Sequence, residues 1–168
     1  TFDSLLARLA DVADNAWVRF LYGHPESITD AVIETVASHD NLCPYFDLPI
    51  QHAADPVLKK MGRHYGHSQL LELFDRIRTK VPEAVIRTTL IVGFPGETDA
   101  DFDTLMAFID RVKFDHLGVF TYSDAEDLPS HKLSGHVDPQ VAQSRYDAVM
   151  ARQMDISGDN LTAMIGRT

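Results

Sequence analysis

The chain has 168 residues, 45% of them hydrophobic, and a formal net charge of -10, enough apolar material for one sizeable core and unlike a disordered or fibrous composition. That acidic balance repels a phosphate backbone, and no Lys/Arg stripe interleaved with aromatics overrides it, so direct nucleic-acid binding by this segment is not expected. No apolar run approaches the roughly 20 residues of a membrane span, the opening TFDSLLARLADVADN is no signal peptide, and the lone Cys43 cannot form an internal disulfide, so the expectation is a soluble, cytoplasmic chain without a membrane partner.

Short apolar runs alternate with longer segments of helical period, the pattern of βα units on a parallel sheet. WVRFLYG, residues 17–23, reads as the first strand, and SITDAVIETVASH, 27–39, as a helix capped by Ser27. PYFDLPIQH, 44–52, is the second strand. DPVLKKMG then makes a short helix, with Asp55 as cap and Pro56 at the first helical position, before a longer helix in HSQLLELFDRIRTKV. The third strand spans 84–93 and leads to the helix TDADFDTLMAFIDRVK. There Phe102, Leu105, Met106 and Ile109 share one face, while Asp99, Asp101 and Asp103 gather at the positive end of the helix dipole and need no catalytic role. DHLGVFTYS, 115–123, is the fourth strand, followed by a polar loop over about 124–137 and a closing helix over about 139–157. Such an order occurs in barrels and in doubly wound sheets.

Splitting the strands by their period of two exposes a second signal. In the third strand Ile86, Leu90 and Val92 can meet helices, whereas the opposite face presents Arg87, Thr89 and Ile91. In the second, Phe46, Leu48 and Ile50 oppose Asp47, Pro49 and Gln51; in the first, Val18, Phe20 and Tyr22 oppose Arg19 and Leu21. A polar set on an inner face points to a lumen holding a ligand or paired charges, Asp47 with Arg19 or Arg87 being the plain pairing.

The turn Gly93-Phe94-Pro95-Gly96 lies at the carboxyl end of a parallel strand, where α/β proteins place ligands, and Thr98 can cap the helix beyond it. A phosphate cradle is disfavoured: G-x-x-x-x-G-K-[ST] is absent, no Lys follows Gly96, and Glu97 opposes phosphate.

RTTLIVGFPGETDADF, FDLPIQHAADPVLKKMGR and FDHLGVFTYS resemble strand segments of the radical S-adenosylmethionine enzymes, and within them the methylthiotransferases, over about Trp17 to Gly166. DLPIQHA, VIRTTLIVGF and LGVFTYS are similar to the branch that methylthiolates an aspartate of a small-subunit ribosomal protein (RimO-type), whereas the transfer-RNA branch (MiaB-type) usually has Gln-Ser-Gly after the same strand. The resemblance implies one domain over 1–168, a partial, open TIM-like βα barrel forming the C-terminal part of a radical SAM core. It also implies a transferase that uses S-adenosyl-L-methionine and 4Fe-4S clusters in the full-length protein, with a ribosomal protein as substrate partner.

Residue by residue, the resemblance assigns Gln51 and Arg63 to the polar ribose or methionine end of the cofactor, Thr89 to the ribose side and Ile91 to the adenine. An amide serves either sense of hydrogen bond and a guanidinium pairs with a carboxylate, which suits those two polar positions. Phe120, Tyr122 and Ser123 are assigned to the last strand, where adenine meets backbone and ring surface. Arg87 is assigned to the cofactor carboxylate or to charge balance in the lumen, and Gly93 to Glu97 to the rim of the pocket. No catalytic side chain and no metal ligand is assigned within this chain. The plain alternatives are core packing for Ile91, Phe120 and Tyr122, a solvated helix end for Arg63, and either a substrate contact or a strand-end hydrogen bond for His52. His64 and His67 lack a third ligand for zinc, and Cys43 is expected to pack.

Two features depart from the family pattern. The cluster motif Cys-x3-Cys-x2-Cys is absent, so the chain is expected to be a fragment, inactive alone, whose first strand leaves a sheet edge open to pairing with another copy. After FTYS, DAEDLPSHKL stands where an acidic-Gly-Thr stretch is usual. The alternatives are a transfer-RNA methylthiotransferase core and a non-catalytic barrel scaffold that binds a nucleoside or a partner. A phosphate-binding barrel enzyme would need a glycine-rich anion loop that the sequence lacks.

Overall fold

A computed structural model describes residues 1–13 and 15–166; Asp14, Arg167 and Thr168, within the expected 1–168 domain, lie outside the described residues. Three parallel strands, β1 (Tyr45–Asp47), β2 (Val85–Val92) and β3 (His116–Thr121), form an open sheet in the order β1-β2-β3. The helices are α1 (Phe2–Val12), α2 (Asp30–Ser38), α3 (Asp55–Lys60), α4 (His67–Lys80), α5 (Asp99–Val112) and α6 (Pro139–Thr162). This is the expected α/β architecture of an open parallel βα sheet.

β2 is the organising strand. Ile86, Thr88, Leu90 and Val92 are buried, while Arg87, Thr89 and Ile91 are half-buried on the opposite face. Behind the sheet, Phe74 of α4 meets Phe108 of α5 and Phe114 edge-on, with ring centroids 6.1 and 5.2 Å apart. Phe46, Leu48, Ile50, Leu70 and Ile77 complete this layer, all at 2% exposure or less.

The expected second strand, 44–52, is a ladder only over Tyr45–Asp47, with one further bridge at Gln51↔Leu90. Pro49 has no amide to donate, and the chain compensates with a side chain: Thr88 Oγ1 donates to the Leu48 carbonyl at 2.8 Å and accepts from the Ile50 amide at 3.4 Å. Gln51 leaves this interruption with φ +68.

The expected first strand, 17–23, is not a strand. It makes one parallel bridge, Val18↔Leu42, and rejoins the sheet where the Gly23 amide donates to the Asp47 carbonyl at 2.8 Å. Tyr22 adopts φ +58, and Trp17, Leu21 and Tyr22 are exposed, so no continuous ladder runs between those two attachments. Phe20 still anchors the segment between Phe2 of α1 and Phe46 of β1, with centroids 5.5 and 5.7 Å away.

The remaining boundaries differ for capping reasons. Thr29, not Ser27, caps α2 by accepting from the Val32 amide, because Pro25–Ser27 first forms a 3₁₀ turn. Asp55 lies inside α3, and its carboxylate instead accepts the His67 amide at 2.6 Å at the start of α4. Thr98 caps α5 as expected, in a reciprocal box with Asp101. α6 extends to Thr162, beyond the expected end near 157.

Candidate functional site

The carboxyl ends of β1 and β2 open onto a cavity of about 650 Å³, within the range of small-molecule sites. Gln51, Lys60, Arg63 and Ser130 supply its polar lining, and Ile91, Phe94, Met61 and Leu133 supply apolar wall. Each is delivered by a local device already seen. The Pro49 interruption and the positive φ of Gln51 bring that residue to the cavity; the end of α3 presents Lys60 and Arg63; β2 presents Ile91 on its half-buried face.

Of the nine residues expected at the cofactor, the cavity gathers Gln51, Arg63 and Ile91. Arg63 carries the most informative atom. Its Nε is buried and makes no hydrogen bond within the chain, and a buried donor of this kind needs an acceptor from water or from a bound group. Lys60, by contrast, already donates to the Gly96 carbonyl at 3.1 Å.

Thr89 and Phe120 lie along the open face of the sheet beside the cavity, Phe120 in register with Ile91 and 63% exposed. Arg87 lies further along that face and pairs with Asp47, Nη1 to Oδ1 at 2.7 Å. This bond holds the guanidinium pKa above its ordinary value. Tyr122 stands behind the wall, its ring 5.1 Å from that of Phe94 and its hydroxyl 2.9 Å from Ser130 Oγ and 3.1 Å from Asp124 Oδ1. Ser123 is exposed at the start of the following loop.

Gly93 has a packing reason for being glycine. At φ +76, an added Cβ would stand 2.5 Å from the Cβ of Ala142 on α6, closer than real contacts allow. The expected rim also divides: Phe94 lines the cavity, but the Glu97 side chain is fully buried and folds back on its own turn, accepting from the amides of Gly93 and Phe94. His52, fully buried, is no surface contact; its Nδ1 accepts the Ala54 amide at 3.0 Å.

Lys60, Ser130 and Leu133 were not singled out by sequence reasoning. Lys60 carries a local signal, standing in the basic last turn of α3 just before Arg63, whereas Ser130 and Leu133 arrive from a loop whose path nothing in the sequence indicates.

The chain matches the Radical SAM superfamily over residues 2–109. It is 52% identical to the ribosomal protein uS12 methylthiotransferase RimO of Desulfosudis oleivorans, over 97% of this chain and 37% of that protein. It is 44% identical to the protein of the same name from Clostridioides difficile, over 98% of this chain and 37% of that protein. The chain therefore spans little more than a third of the length of these curated relatives. Among solved structures, coproporphyrinogen III oxidase (HemN) from Escherichia coli, described as a radical SAM enzyme, shares the fold. Its TM-score is 0.71 at 17% identity, covering 92% of this chain and 37% of that one. The radical S-adenosylmethionine methyltransferase TsrM from Kitasatospora setae aligns with TM-score 0.56 at 16% identity, over 70% of this chain and 23% of that one. The superfamily match and the open parallel sheet agree: the chain belongs to the radical SAM superfamily, and its curated relatives are methylthiotransferases of the RimO type.

Proposed function

We propose that this chain forms the S-adenosylmethionine-holding part of a radical SAM methylthiotransferase that acts on ribosomal protein uS12, the activity for which its relatives are named. The observation that carries the reading is the convergence of Gln51, Arg63 and Ile91 on one cavity at the carboxyl end of the sheet.

The residues present suit that cofactor. The unpartnered Arg63 Nε–H is matched by a carboxylate acceptor, Gln51 offers both a donor and an acceptor to ammonium or ribose hydroxyl groups, and Ile91 with Phe94 offers an apolar surface to adenine. Thr89 and Phe120 extend the surface along the open sheet face, Arg87 balances the charge of Asp47 there, and Tyr122 supports Phe94 from behind. Gly93 fixes the approach of the turn to α6, and Ser123 starts the loop that brings Ser130 to the cavity. When bound, the cofactor supplies the radical and methyl chemistry; this chain's residues bind it, orient it and exclude water.

The 4Fe-4S cluster of the superfamily does not fit the residues here. Such clusters are held by several Cys thiolates, this chain has one cysteine, and among the described residues no group of three or more His, Cys, Asp or Glu is placed to hold a metal ion. This chain by itself is expected not to methylthiolate uS12.

Equilibrium dialysis of S-adenosylmethionine against the full natural protein tests the reading. Arg63→Met and Gln51→Ala should each weaken binding about tenfold, while Arg76→Ala, in a separate cavity between α2 and α4, should not. Affinity indifferent to both cavity substitutions would overturn it.

A further inference from the structure

We infer that His52 is a positioning residue for the cavity: through Glu97 its ring locks the Gly93–Glu97 turn to the backbone that carries Gln51. The consequence for ligand affinity rests on the cofactor reading given above; the lock itself does not.

His52 follows Gln51 directly, so its ring leaves the strand end on the side away from the cavity and enters the core, where it is 0% exposed. Because its Nδ1 accepts the Ala54 amide, the neutral ring carries its proton on Nε2. That Nε2 faces Glu97 Oε1 at 3.7 Å, both side chains fully buried, and neither atom makes a hydrogen bond. The two unsatisfied groups, a donor and an acceptor, therefore lie next to each other in the buried interior, and a shift of about 0.8 Å brings them to hydrogen-bond length.

The other half of the carboxylate is already committed. Glu97 Oε2 accepts from the Gly93 and Phe94 amides, so the position of Phe94, a cavity wall, depends on how Glu97 is held. Arg145 of α6 approaches Oε1 at 3.4 Å and donates to Asp99 at 2.7 Å, fixing the carboxylate from the helix side. His52 is the sole ring on the strand side of Glu97 Oε1 among these partners, and it joins the Gln51 wall to the Phe94 wall. Bonds of this kind are often long in ligand-free enzymes and tighten in the complex.

Two substitutions separate the roles of the ring. His52→Asn keeps an acceptor for the Ala54 amide and removes the donor toward Glu97; His52→Gln places an amide nitrogen near the Nε2 position. In the full natural protein, hydrogen–deuterium exchange of the segment containing the Gly93 and Phe94 amides reads the lock, and equilibrium dialysis of S-adenosylmethionine reads its consequence. His52→Asn should speed exchange there several-fold and weaken binding about tenfold, with His52→Gln near wild type in both. Should His52→Asn fail to fold, His52→Met, similar in volume and without a donor, makes the same contrast. Unchanged exchange in the variants without a donor toward Glu97 overturns the inference, and faster exchange with unchanged affinity overturns the positioning role. A wild-type protein that does not bind S-adenosylmethionine overturns the cofactor reading and the positioning role with it, while the exchange contrast still decides the lock.

Discussion

The Arg87 guanidinium lies 2.7 Å from the Asp47 carboxylate, joining residues in register on β2 and β1 across the open face of the sheet. Asp47 is 2% exposed and also accepts the Tyr22 amide at 3.3 Å, so one carboxylate ties both strands to the segment that runs beside them. Arg87→Met leaves that buried charge without its partner and should destabilise the protein by about 2 kcal/mol, below the range for fully buried pairs because Arg87 is partly exposed. Adding Asp47→Asn should recover part of the loss, as read by urea unfolding of the single and double variants.

Gly93→Ala should cost more than an ordinary glycine substitution. Both the left-handed φ and the 2.5 Å approach to Ala142 oppose a side chain there, so about 2 kcal/mol or more is expected. Gly62, also at positive φ but with open space around it, should lose only about 1 kcal/mol as Ala. Ala142→Gly should relieve Gly93→Ala in part, because it removes the clash and not the backbone strain; thermal unfolding of the set checks this ordering.

The cap of α5 predicts a simpler loss. Thr98→Ala removes both the acceptor for the Asp101 amide and the hydroxyl that donates to its carboxylate at 2.7 Å, which should lower unfolding stability by about 1 kcal/mol.

The loop beyond β3 is predicted to respond to acid. The bond from His131, with a smaller contribution from the Tyr122 hydroxyl, holds the Asp124 carboxyl below its ordinary value of 3.8. A carboxyl depressed in the folded state contributes stability above its unfolded value and loses it as pH falls through the folded value. Carbon NMR of the Asp124 carboxyl should therefore show titration below the ordinary range, and His131→Ala should move it back up.

Much of this arrangement was legible in the sequence where periodicity and local chemistry agree. The alternation of VIRTTLIV sorted β2 correctly into a buried face and an open one, and Thr98 announced the start of α5. The losses came where partners are distant. Asp55 had the chemistry of a cap, but only the folded chain shows that it caps α4. WVRFLYG has strand composition, yet no neighbour pairs with its middle. α1 buries only Leu6 and Ala10 among its 11 residues, a weak stripe that was read only for what it excluded. Glu97, read as an acidic rim residue, is buried by partners from α6 and from the end of β1, which no local pattern could supply.

The proposed role of Arg63 sets the chain's resistance to unfolding against ligand binding. The buried Arg63 Nε makes no hydrogen bond within the chain, so replacing Arg63 with an apolar side chain of similar length should make the protein more stable when assayed without S-adenosylmethionine, by about 1 kcal/mol. On the proposed cofactor reading, the same replacement removes the donor offered to S-adenosylmethionine, so selection for heat tolerance alone should discard Arg63 and selection for activity should restore it.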